Sequence, residues 1–245
     1  MENLNNAGHA LIRFMRSRAR LLFLCLSLTL VALSPSPPPP VHAQDASPIV
    51  VFSWKSPTFV PSGYAGKALP VYGARVELAA DLLVGSNFVD PGALFYSWFL
   101  NGSRLASGKG LRKAEFTTKS GPGASNYIRV EIDFLGQKVI KNFFVPSTEP
   151  RLIVEQQRSR NILREGNNLF VARPFFFLAS SLSDFSFSWS FNGSPLDQKL
   201  ATPDKFSVDI LPGTPPGSRV DIGAEIKNKT SLLEIASQNL SFVVQ

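Results

Sequence analysis

FYSWFLNGSRL at residues 95–105 and FSWSFNGSPL at residues 187–196 share one signature, Trp-x-x-Asn-Gly-Ser, with Trp98 and Trp189 standing 91 residues apart. In the second copy Phe185, Phe187, Trp189 and Phe191 alternate with Ser186, Ser188 and Ser190. Successive strand side chains point to opposite faces, so this is a strand with one dry and one wet face. In the first copy Leu94, Tyr96, Trp98 and Leu100 make the corresponding row, and Phe95 and Phe99 leave the other face less polar. Asn101-Gly102 and Asn192-Gly193 follow, the dipeptide that tolerates the positive φ angles of a tight hairpin turn. Each copy therefore predicts strand, turn and returning strand.

The match extends beyond the turn. Ile128, Val130, Ile132 and Phe134 alternate with Arg129, Glu131 and Asp133, and Val220, Ile222, Ala224 and Ile226 alternate with Asp221, Gly223 and Glu225. Closing strands follow at 138–145 (KVIKNFFV) and 239–244 (NLSFVV). Short apolar runs separated by turn residues predict β-sandwiches throughout. Phe175-Phe176-Phe177 is expected to be a strand buried on both sides. PSTEP, residues 146–150, is expected to be a short, stiff connector.

Trp-Phe-Leu-Asn-Gly-Ser-Arg-Leu resembles strand C and the following turn of an immunoglobulin-like domain, and Tyr-Ser-Trp-Phe is similar to the PKD-type domains of bacterial surface proteins. The paired cysteines of antibody domains are absent, and Asn-Gly-Ser stands where the PKD type has Gly-Asp-Gly. TFVPSGYAGKALP (58–70) and LFVARPFFFLAS (169–180) resemble segments of exported tandem Ig/PKD-like envelope proteins of unknown function. The resemblance implies an all-β chain of two tandem immunoglobulin-like β-sandwich domains, at 46–147 and 149–245. It implies a place in the bacterial envelope and names no activity.

Residues 1–43 read as a signal peptide. Arg13, Arg16, Arg18 and Arg20 precede the apolar run LLFLCLSLTLVAL, and prolines and Val41-His42-Ala43 follow it. The expectation is an exported protein that is periplasmic, on the cell surface or extracellular. Retention of this segment would make it a membrane anchor instead. Cleavage after Ala43 removes Cys25, His9, His42 and both methionines. What remains has no thiol or imidazole, which excludes disulfides, Cys/His zinc sites and Cys or His catalysis. The leader also takes four arginines and one glutamate, lowering the net charge from +7 to +4. The compositional support for nucleic-acid binding falls with it.

Carboxylates are the remaining acid/base groups. Glu131 with Asp133, and Asp221 with Glu225, each share a strand face, which is the solvated face of a half-buried strand. Asp204 and Asp209 lack the spacing of a calcium loop. No catalytic, metal or cofactor residue is assigned. RLASGKGLRKAEFTTK supplies Arg104, Lys109, Arg112, Lys113 and Lys119 against one acid, Glu115, and is expected to be an exposed loop. It is either a binding loop for an anionic envelope polymer or acidic partner, or a lysine-blunted sheet edge. A second cluster, Arg158, Arg160 and Arg164, is open to the same two readings, and sequons begin at Asn101, Asn192, Asn228 and Asn239. The functional expectation is a non-enzymatic adhesive, spacer or assembly module of the envelope, whose oligomeric state the sequence leaves open. The alternative is a carbohydrate-active enzyme built from loop carboxylates.

Overall fold

Both Asn-Gly pairs form the turns their sequence calls for. Asn101 and Gly102 have φ of 48° and 83°, Asn192 and Gly193 have 48° and 79°, and positive φ at both central residues is the hairpin turn that matches strand twist. The computed structural model describes residues 47–119, 121–157, 162–196, 200–231 and 233–245. The leader, Arg158 and Arg160 lie outside them. The first half contains β1 (Ile49–Lys55), β2 (Arg75–Val84), β3 (Asn87–Phe88), β4 (Phe95–Leu100), β5 (Ser103–Lys109), β6 (Lys113–Thr117), β7 (Ser125–Phe134) and β8 (Gln137–Pro146). The second contains β9 (Arg151–Gln156), β10 (Ile162–Leu163), β11 (Gly166–Phe175), β12 (Phe185–Phe191), β13 (Ser194–Pro195), β14 (Lys205–Ile210), β15 (Arg219–Asn228) and β16 (Ile235–Val244).

These strands make two sandwiches. In the first, β2 pairs with β1 on one side and with β3 and β6 on the other, and this sheet packs on a sheet ordered β5-β4-β7-β8. In the second, β14-β11-β9 packs on β10-β16-β15-β12-β13. Each half thus crosses from one sheet to the other as an immunoglobulin-like sandwich does. The rows expected from alternation form the cores. Tyr96, Trp98, Ile128, Val130 and Ile132 are fully buried in the first, and Phe185, Trp189, Ile222 and Ile226 are buried in the second. Leu94 is buried too, although the strand starts one residue later, because Pro91–Ala93 form a 3-10 turn. Each indole spans its core and finds a carbonyl: Trp98 Nε1 donates to Leu111 O and Trp189 Nε1 to Pro203 O, both at 2.9 Å. The matching contacts satisfy the one polar atom of the buried tryptophan in each sandwich.

The run from Phe175 to Phe177 differs from expectation. β11 ends at Phe175, and Phe176 takes φ of 63°, a left-handed conformation that costs a bulky residue roughly 1–2 kcal/mol. The kink turns neighbouring rings in different directions. Phe177 enters the second core, while Phe176 joins Val71 and Ala74 of the first half in a separate buried cluster. Three bonds hold the kink: Phe176 N–H donates to Phe59 O and Phe59 N–H to Phe177 O, each at 2.7 Å, and Leu178 N–H donates to the Glu234 carboxylate at 3.0 Å. Phe59 also packs edge-on against Phe185 in the second core. PSTEP is therefore not the only tie between the sandwiches. It is itself bound to the first, with Thr148 N–H donating to Pro70 O at 3.0 Å.

Candidate functional site

The basic stretch is largely strand rather than loop. Residues 103–109 are β5 and 113–117 are β6, because Leu105, Leu111 and Phe116 anchor the segment on the first core as it passes between sheets. The five cations separate accordingly. Arg112 Nε lies 2.7 Å from Asp81, so its charge is already matched. Lys113 pairs across to Ala79 on the other sheet, and it lines a cavity of about 160 Å³ with Trp54, Lys55 and Glu77. Lys119 follows β6 and borders a third region beside Asn101, Leu105 and Asn126. Arg104 and Lys109 alone share a surface, the outer face of β5-β4-β7-β8.

That face can be read row by row from the pairing. One row runs Lys109, Phe95, Asp133, Lys138; the next Ser107, Ser97, Glu131, Ile140; the next Arg104, Phe99, Arg129, Asn142; and Tyr127 stands beside Phe144 at the end. Phe95, Ile140 and Phe144 are exposed at 42 %, 51 % and 64 %. Phe99 has a guanidinium on either hand, with Arg129 Cζ 4.2 Å and Arg104 Cζ 5.7 Å from its ring centre. Tyr127 and Phe144 rings are 5.3 Å apart. Both carboxylates are occupied: Glu131 bonds Arg129 at 3.2 Å and Asp133 bonds Lys138 at 3.0 Å. The Asp133–Lys138 pair is solvent-exposed, and pairs of this kind contribute about 0–1 kcal/mol. The surface offers large apolar area, cation–π geometry and an excess of positive charge.

The same face of the second sandwich is different in kind. Ser186, Ser188 and Ser190 lie beside Lys227, Glu225 and Gly223, and Gly223 in turn faces Asn239. A Cβ on Gly223 would fall 2.3 Å from Ser190 Oγ and 2.5 Å from Asn239 Oδ1, so the small polar groups close over it. Asp221, at the end of this face, accepts from Ser241 Oγ and from Arg219 Nε, and these bonds hold its carboxyl below the ordinary aspartate value.

Other residues singled out in the sequence have structural partners. Asp209 accepts from Asn167 Nδ2 at 3.0 Å, and the Asp204 carbonyl accepts from Ala172 N–H. Asn228 is buried, donating to Leu178 O and the Glu234 carboxylate, which removes it as a glycan acceptor. Arg164 is exposed beside β10. Among the described residues no group of three or more His, Cys, Asp or Glu side chains is placed to hold a metal, and no helix is long and apolar enough to cross a membrane. Sequence reasoning missed Tyr127, Arg129, Ile140 and Phe144 as members of one surface. The adjacent pair Phe143-Phe144 held the signal, since neighbouring strand residues cannot both face inward.

The pairing and the two cores define a tandem of immunoglobulin-like sandwiches. No family model matches the chain, and no curated protein matches it. Among solved structures it is similar to the three N-terminal domains of the bacteriophage RB49 highly immunogenic outer capsid protein, at 11 % identity and a TM-score of 0.41, over 81 % of this chain and 59 % of that one. It is also similar to fibronectin(III)-like modules of Clostridium thermocellum CbhA, at 10 % identity and a TM-score of 0.27, over 76 % of this chain and 92 % of that one. A chimeric titin Z1Z2 structure aligns at 11 % identity and a TM-score of 0.32, over 82 % and 98 % of the two chains.

Proposed function

We propose that this protein is a non-enzymatic binding module, exported to the bacterial cell envelope, that holds an envelope protein or anionic envelope polymer on the outer face of β5-β4-β7-β8. The observation that carries the reading is the contrast between the two sandwiches. The same face is packed with small polar groups in the second and presents Phe95, Phe99, Ile140 and Phe144 among Arg104, Lys109 and Arg129 in the first. Exposed apolar area rimmed by charge marks an interaction surface, and aromatic and arginine side chains dominate the energetics of such surfaces. Arg104 and Lys109 belong to this surface; Arg112 is paired with Asp81, and Lys113 and Lys119 lie away from it. A hydrolase reading receives less support, because Glu131, Asp133, Asp221 and Glu225 are all paired with neighbouring cations on sheet faces. Retention of purified protein on the native envelope tests the proposal. Phe95→Ser with Arg104→Ser should reduce retention, and salt should weaken the wild type by screening. Retention unchanged by that pair would overturn it.

A further inference from the structure

The closing strand of each sandwich is paired along one side over most of its length. In the second, β10 covers the end of β16 alone, pairing Ile162 with Val243 and Leu163 with Val244, and Gln245 N–H donates to Leu163 O at 3.0 Å. In the first, residues 56–74 meet the chain just past β8, where Thr148 N–H donates to Pro70 O at 3.0 Å, and otherwise go to Phe177 and the cluster around Phe176. Among the described residues β8 therefore ends its sheet, with β7 as its only paired strand.

The identity of the free groups follows from the turn. Leu135-Gly136 joins β7 to β8 with two residues, so Phe134 and Gln137 exchange backbone bonds and the pattern alternates from there. The N–H and C=O of Lys138, Ile140, Asn142 and Phe144 then point away from β7. Lysine and proline commonly blunt such an edge, and Lys138, Lys141 and Pro146 are present here. Yet Ile140 and Phe144, both largely exposed, stand at the positions whose backbone is free. β8 holds two lysines and no carboxylate. Lys138 is matched by Asp133 and Glu131, whereas Lys141 is in no ion pair among the described residues.

We propose that β8 accepts an extended strand from a partner protein, with apolar residues opposite Ile140 and Phe144 and a carboxylate opposite Lys141. The proposal rests on the reading of this sheet as the binding surface and names the form of its partner. Main-chain bonds supply affinity in this mode, and alternate side chains supply specificity. A second copy is a poorer occupant, since two β8 strands side by side would join four lysines and no carboxylate in one ribbon.

The test uses the full chain with synthetic peptides of about ten residues, the length of a long strand, one alternating Val with Glu and one alternating Val with Lys. The Val/Glu peptide should slow amide exchange at Ile140, Asn142 and Phe144 by roughly tenfold or more, and the Val/Lys peptide should not. Asn142→Pro, which removes an outward N–H and no bond to β7, should abolish the effect. Lys141→Glu should reverse the peptide preference, and it keeps the test decisive if the proline variant folds poorly. Absence of slowing with both peptides would overturn the proposal, as would protection that appears without peptide as protein concentration rises, the sign of a second copy. Envelope retention separates this from the broader reading. Loss of retention in Phe95→Ser with Arg104→Ser, alongside unprotected β8 amides, leaves the face standing and rejects the edge. Protected amides with retention indifferent to that pair do the reverse.

Discussion

Asn101 and Tyr127 exchange two hydrogen bonds: Asn101 N–H donates to the Tyr127 carbonyl at 2.8 Å, and Tyr127 N–H donates to Asn101 Oδ1 at 2.9 Å. Asn192 and Asp221 repeat the pair at the same two distances. The side chain thus adds a rung to the sheet ladder from a residue in left-handed conformation. This explains why the repeated motif uses Asn where Gly alone would satisfy φ. Asn101→Gly should lose only the hydrogen bond, about 1 kcal/mol. Asn101→Ala should lose it and add the left-handed penalty of about 1–2 kcal/mol. Urea denaturation of the two variants checks the order.

Leu135 occupies the equivalent place in the turn between β7 and β8, with φ of 49° and 86 % exposure. It has the strain without the compensating bond. Leu135→Gly should therefore stabilise the first sandwich or leave it unchanged, against a usual cost for substitutions of about 1 kcal/mol. A rise in denaturation midpoint is expected, and a fall would mean that Leu135 packs on something.

Phe59 precedes most of the first sandwich in the chain but packs in the second core. Phe59→Ala should speed amide exchange in β12 and β15 as well as at the junction, with a loss of roughly 3 kcal/mol if the ring is not replaced by neighbouring groups. Faster exchange confined to residues 56–74 would show that the sandwiches are energetically separate.

Asp184 accepts backbone N–H bonds from Ser180 and Ser181, and these, first Ser180 and then Ser181, hold its carboxyl below the ordinary aspartate value. A carboxyl depressed in the folded state stabilises above the unfolded-state value, about 4, and loses that contribution as pH falls through the folded value. The stability difference between wild type and Asp184→Asn should be constant at neutral pH and shrink below about pH 4. Acid titration of both proteins measures it.

Core rows were legible because alternation at period two is written into Leu94 to Leu100 and Phe185 to Phe191. The hairpins were legible because Asn-Gly has few other uses. Residues 104–119 were misjudged as loop because glycine and lysine suggest turns locally, whereas Leu105 and Phe116 hold this segment to a distant sheet. The kink at Phe176 was hidden for a similar reason. A run of three phenylalanines does not disclose that one ring belongs to a neighbouring sandwich, since the bonds to Phe59 and Glu234 that impose the turn come from far along the chain. The face proposed for binding was only half visible: Arg104 and Lys109 stood out by charge, but their aromatic neighbours join them through strand register.

Site-specific photo-crosslinking in intact cells tests the central claim most directly. A crosslinking residue placed at Ser107, in the outer face of the first sandwich, is to be compared with one at Ser188, in the same face of the second. The account predicts a discrete adduct with an envelope component from position 107 and none from position 188. Adducts from position 188 alone, or from neither position, would contradict it.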